Sequence, residues 1–198
     1  ILLPLLIFGD LCAVHAFRKH TLWGQIAKML PPTLIGVVLG FFVMRELPDA
    51  QFKPLLGWML LGTVSAQTVR SFHPNFGKTI PHATPFAWAV GIWAGMATMI
   101  ANAAGPIVSI YMLSLLLPKE NMIGTNAWFF LIINVLKLPF SAALGLLHAP
   151  SLQLDLMLSP LVLLGTFLGR SLLSRIPQKL FEILLLLSAG AAALKLAL

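Results

Sequence analysis

The feature that most constrains this chain is a succession of apolar runs with almost no polar sequence between them. They cover Ile1 to Phe17, Pro32 to Met44, Pro54 to Val69, Pro85 to Ala104, Pro106 to Leu117, Thr125 to Leu147, Leu154 to Leu173 and Lys179 to Leu198. A run of about 20 apolar residues crosses a bilayer as a helix, and shorter runs enter tilted, broken or re-entrant. The runs are rich in Leu and Ala and lack period-two alternation, so helices are expected and strands are not. Composition agrees. Hydrophobic residues make up 59% of the 198 positions and charged residues 10%, and the mean hydropathy is +0.93. A water-soluble surface carries about a quarter charged residues, so lipid must solvate much of this one. No polar stretch is long enough for a second domain, and residues 1–198 are expected to form a single membrane domain.

The net charge of +7 does not imply nucleic acid, because Lys and Arg of a membrane protein gather in cytoplasmic loops. Arg18, Lys19 and Lys28 follow the first run. Arg70 and Lys78 precede Pro85, and Arg170, Arg175 and Lys179 surround the last turn. The stretch from His148 to Leu154 has no basic residue, and Arg45 to Lys53 is mixed in sign. The first three groups are therefore assigned to the inside of a plasma (inner) membrane and the other two to the outside, giving a multi-pass protein. That scheme requires the segment from Pro85 to Leu117 to enter and return on one side, as two short helices meeting near Asn102 to Pro106.

An internal repeat is also visible. Gly36-x-x-x-Gly40 recurs as Gly165-x-x-x-Gly169, a separation of 129 (from 36 to 165), and the same separation joins Pro31 to Pro160, Pro48 to Pro177 and Phe52 to Phe181. The first copy is preceded by a basic loop and the second by the acidic Asp155. Two copies of opposite orientation would produce this, as in many secondary transporters. The expected fold is an all-α, polytopic bundle of two inverted repeats with broken or re-entrant helices. Residues 1–84 would be a partial first repeat, its N-terminal hairpin missing, and 85–198 a second.

Pro106 carries the first chemical expectation. It lacks an N–H and disfavours helical geometry at Gly105, so the helix should break there. The helix resuming near Pro106 would aim its free amides and dipole at whatever occupies the break, an anion-binding arrangement. Thr98, Asn102 and Ser109 add neutral donors. A packing kink of small residues at a helix crossing explains the same segment equally well. Lys137 lies deep in the Thr125 to Leu147 run, where a charge is costly unless it faces a wet cavity or an acid. Asp10 is the acid that would match it, as a structural clamp or as a proton-linked switch. The single cysteine, Cys12, excludes an internal disulfide. The five histidines show no ligand spacing, so neither a metal nor a cofactor is expected.

The stretch "ATMIANAAGPIVSIYMLSLLLPKENMIGTNAWFFLIINVLKLPF" resembles the signature of the sulfite exporter TauE/SafE family. The elements that carry the likeness are Thr98 to Pro106, Tyr111 to Leu113, Gly124 to Phe130, and Asn134 to Pro139. The opening "PLLIFGDLCAVHAFRKH" is similar to the family's first stretch, departing from it at His15-Ala16-Phe17, where many members carry more aromatics. The resemblance implies a permease, not an enzyme, for small sulfur-containing anions such as sulfite, sulfonates or sulfoacetate, working by alternating access. A metal-cation permease of the same fold and a structural membrane protein are the alternatives. Substrate contacts are then expected from Thr98, Asn102, Gly105, Pro106, Ile107, Ser109, Thr125, Asn126 and Lys137. Asp10 and Asn134 form the coupling or ion-pair element. Partners would be the anion and the lipid bilayer, with no nucleic acid, and the pattern is compatible with a homo-oligomer.

Overall fold

The computed structural model describes residues 3–46, 84–147 and 149–197. The Pro54 to Val69 run, the charges Arg70 and Lys78, and the repeat landmarks Pro48 and Phe52 lie outside the described residues. Within them the chain is helical and no strand occurs. The helices are α1 (Leu3–Phe17), α2 (Trp23–Glu46), α3 (Thr84–Ala101), α4 (Ala104–Ser114), α5 (Lys119–Ala143), α6 (Ala149–Arg175) and α7 (Gln178–Ala197), with a 3-10 turn, Arg18–His20, after α1. Among the described residues three segments are long and apolar enough to cross a bilayer: Trp23–Glu46, Lys119–Ala143 and Leu152–Leu173. At 1.5 Å per residue the 24 residues of α2 reach about 36 Å, more than the hydrocarbon thickness of about 30 Å.

The helix expected to start at Pro32 in fact begins at Trp23, and Lys28 belongs to it and not to a loop. Pro31 and Pro32 are interior to α2. They leave the carbonyls of Ala27 and Lys28 without their usual helical partners. Both of those residues are exposed, so neither orphaned carbonyl is sealed inside the packed core. One turn on, the fully buried Thr33 donates its hydroxyl to the Met29 carbonyl at 2.7 Å.

The chain forms two compact units. One comprises Ile1–Ile26 and Lys119–Pro177, the other Ala27–Pro118 and Gln178–Leu198. Each unit draws on segments from both sides of the expected repeat boundary at residues 84 and 85.

In the first unit α1 packs against α5 and α6. Val14 of α1 meets Ala127 and Leu131 of α5, with Ile7, Ala13 and Trp128 around them. α5 ends cleanly at Gly145, whose φ of +67° suits a residue without a Cβ. The Leu146 amide donates to the Ser141 carbonyl at 3.0 Å and Gly145 to Ala142 at 2.9 Å. These two bonds close the helix end as a Schellman motif.

In the second unit α2 and α3 cross with their backbones in contact. A Cβ on Gly36 would collide with the Ile92 carbonyl, and one on Gly95 with the Thr33 carbonyl. A Cβ on Gly91 would come within 2.7 Å of Pro32, and one on Gly40 within 2.9 Å of Met99. Residue numbers climb together along the seam, so the two helices run parallel. Gly36 and Gly40 therefore form the close-packing face their spacing suggests. Gly165 and Gly169 do not: open space surrounds both positions.

Candidate functional site

α5 brings an ammonium group into the first unit. Thr125, Phe129, Ile133, Lys137 and Ser141 recur every four residues, and all are buried. That places Lys137 on the packed stripe of the helix, where it is 1% exposed. Asn134, one turn earlier on the same face, accepts a hydrogen bond from Lys137 Nζ through Oδ1 at 3.4 Å. Its Nδ2 donates to Asp10 Oδ2 at 2.8 Å. A carboxamide suits this post because it offers an acceptor and donors at once. Asp10 and Lys137 also act on one another electrostatically. The acid, the amide and the cation thus form one chain, Asp10–Asn134–Lys137, joining α1 to α5. A buried ammonium without such company would be costly by several kcal/mol, to an order of magnitude of about 3–5.

The second unit holds the helix break. It falls at Asn102 and Ala103, not at the Gly105–Pro106 bond, and α4 starts at Ala104. Proline sterics explain the shift. The Pro106 ring clashes with the carbonyl four residues back, which is that of Asn102. Asn102 turns aside into the left-handed region, φ +52°, which asparagine tolerates better than most residues. The Asn102 amide still bonds the Thr98 carbonyl at 3.1 Å, and the Ala103 amide the Ala97 carbonyl at 3.2 Å, so the end of α3 is closed from within. Pro106 then occupies the first turn of α4, where its missing N–H would have had no helical partner. No side chain caps this start.

Beyond the break the chain reverses. The rings of Phe86 and Tyr111 have centroids 6.0 Å apart. One continuous helix would hold residues 86 and 111 about 37 Å apart. The segment is therefore a returning pair and not a kinked single crossing. Thr98 and Ile107 are buried, Gly105, Pro106 and Ser109 are half-buried, and Asn102 is exposed. A Cβ on Gly105 would meet open space.

A family model described as the sulfite exporter TauE/SafE matches residues 1–196. The chain belongs to the sulfite exporter TauE/SafE family. Its members are membrane transporters, and the apolar helices agree with a membrane protein. Neither a curated protein nor a solved structure matches the chain.

The Gly124-Thr125-x-x-Trp128 stretch that contributes to the TauE/SafE likeness has a concrete task in this fold. A Cβ on Gly124 would stand 2.7 Å from the Phe17 carbonyl oxygen and 3.0 Å from that of His20, so glycine lets the 3-10 turn lie directly on α5. Thr125, fully buried, accepts the Leu22 amide at 3.0 Å. Trp128 rests against Trp23 with centroids 5.1 Å apart. Together the three residues clasp the connection between α1 and α2. Thr125, expected among the substrate contacts, therefore has its acceptor engaged by backbone, while Asn126 is half-buried on the same turn. Thr125→Val keeps the shape but orphans the Leu22 N–H, which should cost about 1–3 kcal/mol. Denaturant unfolding in detergent should register that loss with substrate affinity unchanged.

Two groups escape the sequence reading. Asp155 of α6 is 6% exposed, and its Oδ2 has no hydrogen-bond partner among the described residues. The signal was present, an acid at the start of an apolar run, but it served only to orient the repeats. Lys119 Nζ donates to the carbonyls of Leu173 at 2.9 Å and Ile176 at 2.5 Å, capping the C-terminus of α6. Nothing in the sequence spacing announces a contact over that separation.

Proposed function

We propose that this chain carries small sulfur-containing anions, of the sulfite, sulfonate or sulfoacetate type, across the plasma (inner) membrane by alternating access. The reading rests on membership of a transporter family and, above all, on a lysine buried in an apolar helix. An ammonium group in that position is expensive to keep, and intramembrane charges of this kind mark ion and substrate pathways. Asn134 and Asp10 hold the cation in place within the packed face of α5. The amides that open α4, with Asn102 and Thr98 before them, form a second element suited to an oxyanion. Asp10 and Asn134 are the pair through which a coupling proton would act.

The test is sulfite uptake into proteoliposomes containing the purified chain. Removing the Asn102 amide in Asn102→Gly should lower uptake about tenfold, the effect of one hydrogen bond to a charged partner. Uptake should respond to membrane potential with the sign of an anion, and sulfoacetate should compete. Full uptake in Asn102→Gly, together with transport of a divalent metal that sulfite does not inhibit, would replace this reading with the cation permease.

A further inference from the structure

We propose that the first unit carries a binding site for the phosphate of an anionic phospholipid, in a cleft where the 3-10 turn meets the end of α6. The cleft has a volume of about 410 Å³ and is bordered by Phe17, His20, Glu120, Phe167, Arg170 and Ser171. That volume lies in the range of about 300–1,000 Å³ typical of small-molecule sites.

Its charges are arranged for an anion. Glu120, the acid on the rim, has its carboxylate 3.9 Å from Lys119 Nζ. Lys119 also covers the Leu173 and Ile176 carbonyls, which would otherwise present the negative end of α6 to the cleft. Arg170 makes no hydrogen bond or ion pair to any described residue and is exposed. A guanidinium pairs with phosphate through two parallel N–H bonds, a geometry lysine lacks. His20, exposed on the same rim, adds a donor.

The apolar surroundings then identify the source of the phosphate. Leu156, Leu163 and Phe167 stand at helical spacing on one stripe of α6 that leads to Arg170 and Ser171. They are 75%, 51% and 74% exposed. From Leu156 to Phe167 the stripe runs about 16 Å along the helix. A free oxyanion would use the rim and ignore the stripe, and a neutral lipid would do the reverse. A molecule anionic at one end and apolar along its length uses both. Basic pockets beside transmembrane helices bind anionic headgroups for this reason.

The experiment is lipid retention by the purified full chain after delipidation, read by native mass spectrometry against added phosphatidylglycerol, phosphatidylcholine, inorganic phosphate or sulfite. Phosphatidylglycerol should be retained in preference to phosphatidylcholine. Arg170→Gln should weaken its retention about fivefold, the share of one basic residue near an anionic surface. Arg170→Lys should recover part of the loss. Lys28→Gln, which removes an exposed cation outside the cleft, should change nothing. Should Arg170→Gln fail to purify, Phe167→Ser must lower phosphatidylglycerol retention at unaltered charge. The proposal is overturned by equal retention of the two lipids, by an equal effect of Lys28→Gln, or by unchanged retention in Phe167→Ser. It is overturned also if inorganic phosphate or sulfite displaces the lipid, since the site would then be one for free oxyanions.

Discussion

Lys137→Met should abolish sulfite uptake while leaving a folded protein, and Asp10→Ala should do more harm to folding than Lys137→Met does. The asymmetry comes from the chain Asp10–Asn134–Lys137. Methionine fills nearly the volume of lysine and leaves Asn134 bonded to Asp10, which sits at 2.8 Å from its amide. Alanine at position 10 leaves an ammonium that is 1% exposed without its counter-charge. Leaving that fully buried ammonium unpaired costs about 3–5 kcal/mol, whereas the carboxylate left by Lys137→Met is only half-buried and keeps its bond from Asn134, and replacing both partners by neutral groups of similar size is often harmless. The double variant Asp10→Asn, Lys137→Met should therefore regain most of the stability that Asp10→Ala loses, yet transport no sulfite. Unfolding in detergent and vesicle uptake, measured on the same four proteins, separate the two roles. A double variant that transports at the wild-type rate would mean that the charges only hold α1 to α5. Loss of uptake in Lys137→Met of about a hundredfold corresponds to the upper end of one charged contact, roughly 3 kcal/mol.

The second large effect concerns the seam of α2 and α3. Gly95→Leu should prevent folding, and Gly165→Leu should be nearly silent. At Gly95 the first added carbon already collides with the Thr33 carbonyl and comes within 2.8 Å of the Gly36 Cα. Backbone cannot move aside as a side chain would, so the helices must separate along the seam. Overpacking a core with side chains costs about 1–3 kcal/mol, and a backbone collision exceeds that. Gly165 has nothing within reach, and leucine there adds one more apolar group to a face already rich in them. Detergent-extracted yield and melting temperature of the two variants would check the contrast. Equal tolerance at both positions would mean that α2 and α3 do not cross at glycine.

Sequence alone reached the helices because lipid makes the signal one of mean apolarity, which needs no partner to be read. It misplaced the start of α2 because two consecutive prolines, preceded by Lys28 and Gln25, look like a boundary. In the folded chain the prolines sit inside the helix, and the residues whose carbonyls they orphan, Ala27 and Lys28, are exposed. The helix break was legible to within a few residues. Its displacement from Gly105 to Asn102 follows from a steric contact with the fourth residue back, which a reading focused on the proline itself overlooks. Lys137 and Asp10 were identifiable as charged groups in apolar runs, whereas Asn134 entered only through the family likeness, although its i, i+3 spacing from Lys137 puts both on one helix face. The role of Thr125 was not legible. Its partner, the Leu22 amide, lies 103 positions away, in a turn whose path only the folded chain defines. Gly165 and Gly36 show the converse problem, since matched spacing gave two positions one expectation and their surroundings differ completely.

The left-handed backbone of Asn102 has a practical consequence for anyone scanning the helix break. Alanine, the customary probe, removes the amide but also meets a conformation that disfavours its methyl group by roughly 1–2 kcal/mol. A transport defect in such a variant would mix lost recognition with a distorted elbow. Glycine at φ +52° carries no such penalty, so the difference between the two substitutions isolates how much of the loss is geometry and how much is chemistry.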